Sequence, residues 1–403
     1  MAEGKRIEPD LNFIKYLKSA GGDTLKKCFQ CATCSVVCPL AGDKKPFPRK
    51  EMIWAQWGLK EKLVADPDVM LCHQCGDCTA YCPRGAKPGD VLGAIRAYAY
   101  THYGFPQGVA KLCTSAKNLP LLIGIPAGIV LILWAISGGM HLPDAKTFAS
   151  VGLTNFFGHW DFHLLTKNVF YIDIIFVPAF FFAAFAAYRG VSAMWNEMVK
   201  GMGGNAMYRP SAKQFLGDFL WPAIVETIQH KRFNQCGENK DRVNGHLPLL
   251  LAFLALLVVT GYSFVAKDIF GIAFPSLHGP ISMLNPIKWL ANVGAIAMII
   301  GVGILWSNRS RMEEEKDVTP TFYDWFLIWE IMAVGVTGLL AELGRLMGMV
   351  TPAYVFYYLH LVSVLMLFLY MPYTKFAHMA YRTVAMAFEK YRESGFATHG
   401  EAS

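Results

Sequence analysis

Residues 359–378 read LHLVSVLMLFLYMPYTKFAH, an apolar run with a histidine near each end, His360 and His378. A bilayer-spanning helix needs about 20 apolar residues. Ionisable side chains inside a bilayer are costly and mark function by default. Positions 360 and 378 are 18 apart. A continuous helix, at about 3.6 residues per turn and about 1.5 Å rise, carries them through about five whole turns and about 27 Å. That predicts both imidazoles on one helix face, one near each membrane surface. Two b-type haems, each with one axial imidazole from this helix, would be held in that way. A single terminal histidine reads as an interfacial side chain; two on one face call for a ligand role.

The surrounding chain reads as a membrane protein. Of its 403 residues 54% are hydrophobic, and the mean hydropathy of +0.32 exceeds that of an ordinary soluble protein. Residues 1–112 are polar enough for a soluble domain. Beyond them six apolar runs approach span length: about Leu119–Met140, Val169–Tyr188, Leu247–Ala266, Pro286–Trp306, Tyr323–Met347 and Ala353–Phe376.

Lys and Arg concentrate in connector 189–246 (Arg189, Lys200, Arg209, Lys213, Lys231, Arg232, Lys240, Arg242), in connector 307–322 and after residue 374. Connectors 141–168, 267–285 and 348–352 hold only Lys146, Lys167 and Lys267. The positive-inside rule therefore puts the basic connectors, and with an even number of spans both termini, in the cytoplasm. The opening MAEGKRIEPDLNF has no signal-peptide core, so the expectation is a multi-pass membrane protein whose first domain stays in the cytoplasm. The formal charge of +7 sits beside membrane segments and forms no stripe, which argues against nucleic-acid binding. Connector 189–246 is long for a loop. Its VSAMWNEMVKGM and SAKQFLGDFLWPAIVETIQHKRF stretches predict amphipathic helices at the cytoplasmic surface, as a simple anchor or a partner dock.

Eight of the ten cysteines form a repeat. CFQCATCSVVCP supplies Cys28, Cys31, Cys34 and Cys38; CHQCGDCTAYCP supplies Cys72, Cys75, Cys78 and Cys82, each 44 positions later. The spacing C-x2-C-x2-C-x3-C-P binds 4Fe–4S clusters in two-cluster ferredoxins, where the fourth cysteine ligates the other cluster. One set is then Cys28, Cys31, Cys34 and Cys82; the other is Cys72, Cys75, Cys78 and Cys38. Structural zinc is the alternative, but its sites show paired CxxC units across a longer gap. Two clusters without an open coordination position make an electron wire. PRKEMIWAQWGLKEKLV, between the motifs, predicts helix, so the domain reads as a helical ferredoxin-like module. Cys113 and Cys236 stand alone and read as small buried hydrophobes.

Each haem needs a second ligand. His246 opens the third span on the cytoplasmic side, where His378 also ends, and the two make the favoured pair. For His360 the candidates are His163, His159, His141 and His278, with His163 preferred; His230 reads as structural or interfacial. A quinone beside a haem needs a cleft and a donor or proton carrier. Lys288, Glu342, Arg345 and Glu330 are the charged residues in position. Snorkelling of Lys288 and mutual neutralisation of Glu342 and Arg345 are the plainer readings.

These motifs resemble a known group. The two cysteine runs look like the small iron–sulfur subunit of heterodisulfide reductases. The membrane part looks like the b-type cytochrome subunit of the same enzymes and the gamma subunit of respiratory nitrate reductase. In that cytochrome group a last helix with LHL and a second histidine 18 residues on ligates two haems, and His360 and His378 match. An early-helix histidine like His246 pairs with the second. The further ligand expected about ten residues beyond it falls on Leu256, a departure, while Lys288 is placed like a lysine beside the quinol site. The fusion of both modules is similar to the membrane subunit of the quinone-interacting membrane-bound oxidoreductases of sulfate reducers. That resemblance implies flavin-containing iron–sulfur partner subunits, menaquinone, and electron exchange with adenylylsulfate reductase.

The expected fold is mainly α: residues 1–112 a cytoplasmic ferredoxin-like domain, 113–378 a six-span transmembrane cytochrome b bundle, and 379–403 a cytoplasmic tail. The expected function is an oxidoreductase subunit passing electrons between quinone, one or two haems b (two favoured) and two 4Fe–4S clusters. A fused heterodisulfide-reductase-type subunit serving thiol/disulfide chemistry is the alternative. A zinc-binding anchor and a transporter are further classes, the latter without visible repeats of spans.

Overall fold

The computed structural model describes residues 8–42, 45–158, 167–202, 210–233, 240–272, 274 and 280–394. Among them there are helices and turns, with one isolated bridge between Gly42 and Lys45.

The polar first part folds into short helices: α1 (Leu11–Ser19), α2 (Thr33–Val36), α3 (Arg49–Gln56), α4 (Lys60–Val64), α5 (Pro67–Leu71), α6 (Asp77–Ala80), α7 (Pro88–Tyr103) and α8 (Gln107–Leu112). The stretch between the cysteine runs is helical as expected, as α3, α4 and α5. Local chemistry sets the boundaries. Asp10 caps α1 by accepting from the Phe13 amide at 2.9 Å, and Asp66 caps α5 ahead of Pro67 at its first turn, the position where a missing N–H costs nothing. Phe13, Leu17, Leu25, Met52, Leu63, Val91 and Ile95 form the core beneath the cysteine loops.

The two cysteine runs share one backbone. Gln30 and Ala32 take φ of 61° and 68°; Gln74 and Gly76, their repeat mates, take 52° and 83°. Left-handed residues at alternate positions curl each loop so that its sulfurs converge.

Six helices are long and apolar enough to cross a membrane, within Ala116–Ile136, Phe170–Gly201, Arg242–Lys267, Pro286–Glu315, Phe322–Leu346 and Val350–Tyr370. In the numbering used here they belong to α9 (Leu119–Ile136), α11 (Lys167–Gly201), α14 (Lys240–Phe264), α15 (Pro286–Glu315), α16 (Phe322–Leu346) and α17 (Val350–Tyr370); α10 (Ala145–Val151), α12 (Ala212–Gln214) and α13 (Trp221–Ile228) lie in the connectors. Their outer faces expose Ile132, Phe181, Leu257 and Val293. Such an apolar surface suits lipid and is rare on soluble monomers. The helices α14 to α17 pack in chain order, and α17 also packs against α9 and α11.

The structure departs from the expected helices in two places. First, 359–378 is not one helix. α17 ends at Tyr370, Thr374 is extended (φ −95°, ψ −177°), and a new helix, α18 (His378–Glu393), begins at His378. Pro372 supplies no amide to the helix ladder and stops it; the Tyr370 carbonyl then accepts from both Tyr373 and Thr374. His360 and His378 are therefore on different helices, and the last span is shorter than 353–376. Second, VSAMWNEMVKGM is no separate surface helix but the continuation of α11, which runs 35 residues. It continues through Pro178 and Gly190 without a break.

α18 joins the two halves. Its Tyr381, Ala385, Met386, Phe388 and Tyr391 are buried against Val64, Met70 and Leu71 of the iron–sulfur half and against Met194, Met198 and Phe219 of the second connector. Each large apolar side chain so buried contributes about 1.5–3 kcal/mol.

Candidate redox sites

The cysteine thiols of the two runs lie close to one another. Burial raises the Cys34 thiol to about 11, and Cys28, Cys82 and Cys31 are the thiols near enough to add to it. Burial likewise raises Cys78, beside Cys72, Cys75, Cys38 and Cys34. Buried thiols held protonated in this way become thiolates only with a cation among them. The spacing of the sulfurs tests which. A tetrahedral zinc with bonds of about 2.3 Å holds its sulfurs about 4 Å apart. Among the described residues no three cysteine sulfurs lie within 4.8 Å of one another.

The two groups differ in surroundings. Cys31 is exposed, next to exposed Phe29 and Val36. The other group faces the membrane half and is ringed by cations. Arg96 donates to the Cys72 carbonyl at 3.2 Å, Arg382 to the same oxygen at 3.3 Å, and Lys316 to the Cys75 carbonyl at 3.4 Å.

Between this group and the spans lies a cavity of about 1050 Å³. Cys72 and His73 line one side; His246, Leu249, Phe253, Ile331 and His378 line another. The His246 and His378 ring centroids are 6.1 Å apart with the planes at 79°. A metal held between two imidazoles at about 2 Å per bond, with each nitrogen about 1 Å from its ring centre, sets the centroids about 6 Å apart. Both Nδ1 atoms are engaged: His246 Nδ1 with His230 Nε2 at 2.8 Å, His378 Nδ1 with the Lys375 carbonyl at 2.5 Å. Locking Nδ1 leaves Nε2 as the ligating atom. Apolar walls with Arg96, Arg242, Arg309, Arg382 and Lys375 on the same lining fit a haem with two anionic propionates, so these residues suit the group.

His73 connects the cysteines to this cavity. It is 9% exposed, and burial with the nearby Arg382, Arg232 and Arg242 pushes its pKa down to about 3, so the ring is neutral. Arg382 donates to its Nδ1 at 3.0 Å, and Arg242 to its carbonyl at 2.7 Å. Sequence reasoning missed His73, Arg382, Arg242 and the role of His230. A signal for His73 was present: it is the repeat mate of Phe29, so CFQC becomes CHQC.

His360 sits on α17 with Nδ1 3.1 Å from the Val334 carbonyl and 3.4 Å from Thr337 Oγ1, again leaving Nε2. A Cβ at Gly338 would lie 3.0 Å from this ring, so glycine makes room for it. Of its candidate partners, His163, His159 and His278 lie outside the described residues, as does Cys236; His141 is exposed. Cys113 is buried in an apolar cluster.

The charged span residues split. Lys288 Nζ pairs with Glu342 Oε2 at 2.8 Å, and Arg345 with Glu342 Oε1 at 2.9 Å, so two cations share one carboxylate where the start of α15 meets the end of α16. Glu330 is buried elsewhere, near Cys113 and Tyr370, and among the described residues neither of its carboxyl oxygens has a hydrogen-bond partner.

Residues 24–86 match the 4Fe–4S dicluster domain family, which supports two clusters there, and residues 231–395 match the family described as citrate utilization protein B. The first part resembles a subunit of the H(2):CoB-CoM heterodisulfide,ferredoxin reductase of Methanothermobacter marburgensis, 40% identical over 88 residues, 22% of this chain and 47% of that protein. It also resembles a heterodisulfide reductase subunit-like protein of Archaeoglobus profundus, 33% identical over 104 residues, 26% of this chain and 55% of that one. Citrate utilization protein B of Escherichia coli is 25% identical over 350 residues, 80% of this chain and 82% of that protein. The chain thus spans about half the length of the heterodisulfide reductase relatives it matches. No solved structure matches it.

Proposed function

We propose that this chain is the membrane electron-transfer subunit of a quinone-interacting oxidoreductase, with two 4Fe–4S clusters in residues 1–112 and haem b in a six-span domain, residues 113–378. The observation that carries this reading is the shared cavity, lined by Cys72 and His73 on one side and by His246 and His378 on the other. Iron–sulfur clusters and haem supply one-electron chemistry when bound.

The chain's own residues do the rest. Cys28, Cys31, Cys34 and Cys82 hold one cluster, and Cys72, Cys75, Cys78 and Cys38 the other. His246 and His378 hold a haem at the cytoplasmic end. His360 serves a second haem nearer the outer side, with His163 as the candidate partner. Arg96, Arg242 and Arg382 neutralise charge at the junction, which lowers the cost of placing an electron there. Glu330, without a hydrogen-bond partner among the described residues, is free to take up a proton from a quinol. Lys288, paired with Glu342, is positioned to donate to a quinone carbonyl.

The exposed Cys31 end is where soluble flavin and iron–sulfur subunits would exchange electrons. Menaquinone, a bacterial cytoplasmic membrane with both termini inside, residues 379–403 on the cytoplasmic side, and adenylylsulfate reductase in sulfate respiration complete the reading. A fused heterodisulfide-reductase-type subunit is a second reading, favoured by the relatives named for that activity.

The test is colour and stoichiometry of the purified full chain. Reduction by a menaquinol analogue is expected to bring up b-type α bands and to bleach broad iron–sulfur absorption, and an oxidised quinone is expected to reverse both. Colourless protein, or iron without haem, sinks the quinone–haem reading. Activity with adenylylsulfate reductase against a thiol/disulfide acceptor separates the two partner readings.

A further inference from the structure

We infer that His230 is the positioning residue that fixes the tautomer and donor strength of His246. The inference rests on the proposed haem site and deepens it. His230 lies in the connector between α13 and α14 and is 3% exposed. Its backbone is left-handed, φ 51°, a conformation unfavourable for a non-glycine residue that persists only where the surroundings impose it.

The hydrogen bonds give a direction. His230 Nδ1 is 3.0 Å from the Ile228 carbonyl, which can only accept, so Nδ1 donates. In the neutral ring Nε2 then carries the lone pair. That atom is 2.8 Å from His246 Nδ1, so His246 donates to it and keeps its own Nε2 lone pair for the cavity. Phe233 packs against both rings, with centroids 5.3 Å from each, and holds them in register. The chain of donors runs from His246 through His230 to the Ile228 carbonyl. His378 has a backbone carbonyl in the corresponding place.

The two axial positions are therefore unequal. An imidazole acceptor draws the Nδ1 proton and raises the basicity of the ligating nitrogen, and a stronger donor favours the oxidised metal. His230 thereby lowers the reduction potential of the haem nearest the iron–sulfur half and strengthens its retention.

The experiment compares His230→Phe, His230→Leu and His230→Gln in the full chain purified in detergent. The readouts are haem b per chain, cluster iron per chain and the haem midpoint potential by optical titration. Phe and Leu delete the acceptor; Gln keeps one. With cluster iron intact, Phe or Leu is expected to raise the potential and weaken haem retention on the order of tenfold, while Gln restores both. The inference is overturned if whichever apolar variant folds keeps the wild-type potential and retention. It is also overturned if Gln loses haem as completely as His246→Ala does, because His230 would then be a ligand itself. Wild-type protein lacking haem b would instead overturn the proposed function on which the inference rests.

Discussion

His246 near the start of α14, one of the helices apolar enough to span a membrane, and His378 at the start of α18 face each other across a single cavity, with ring centroids 6.1 Å apart. If one metal joins them, His246→Ala and His378→Ala lose the same haem and keep the other. Pyridine haemochrome counts with optical titrations of both variants check this. Loss of different haems would break the pairing.

The crossed cysteine sets make a separate prediction. Cys82→Ser disturbs the cluster of the first loop, with Cys28, Cys31 and Cys34, although it lies in the second motif. Cys38→Ser disturbs the cluster of Cys72, Cys75 and Cys78. Each variant is expected to lose about half the iron, and low-temperature EPR identifies which signal disappears. An uncrossed pattern would refute the assignment.

Arg382 reaches both the Cys72 carbonyl and His73. Removing its charge disfavours the reduced, more negative cluster. Arg382→Gln should lower the midpoint potential of the Cys72 cluster and leave the Cys31 cluster close to wild type, as read in an EPR redox titration. Arg382→Lys keeps the charge and should fall between the two.

Gly76 and Ala32 hold matching left-handed positions, φ 83° and 68°. A Cβ at Gly76 would also lie 3.2 Å from Lys316 Cδ and Val318 Cγ2. Gly76→Ala should cost about 1–3 kcal/mol. Ala32→Gly should be neutral or stabilising by up to about 1 kcal/mol, since glycine adopts positive φ freely. Thermal unfolding followed by cluster absorbance compares them.

Glu51, Asp66 and Asp68 form a buried carboxyl group of three with Lys50 and Lys45. Burial first, then Asp66, raises Glu51 to about 9. A carboxyl whose folded pKa is raised holds its proton more tightly folded than unfolded. Its contribution is present in full below the ordinary carboxyl value of 4.5 and is lost as pH rises toward 9. Glu51→Gln should flatten the fall of stability with pH across that window, measured by protease resistance between pH 5 and 8. An unchanged slope would place the titration elsewhere.

The local chemistry of this protein was legible in the sequence. The 44-residue cysteine repeat states its metal because thiol spacing along a short loop constrains cluster geometry directly. The six spans are legible because apolar length is a one-dimensional property. Where the chain turns was not. The run from Leu359 to His378 is mostly apolar; Pro372 marks a place to stop, but the direction in which the chain resumes at His378 depends on where the next helix packs. That packing carries Arg382 to Cys72 and sets His378 opposite His246, 132 positions earlier. His230 gives no sign in sequence, because its role is a hydrogen bond made across a left-handed turn. Periodicity and spacing describe neighbours along the chain; the cavity between the cysteine runs and the spans exists only when distant helices converge.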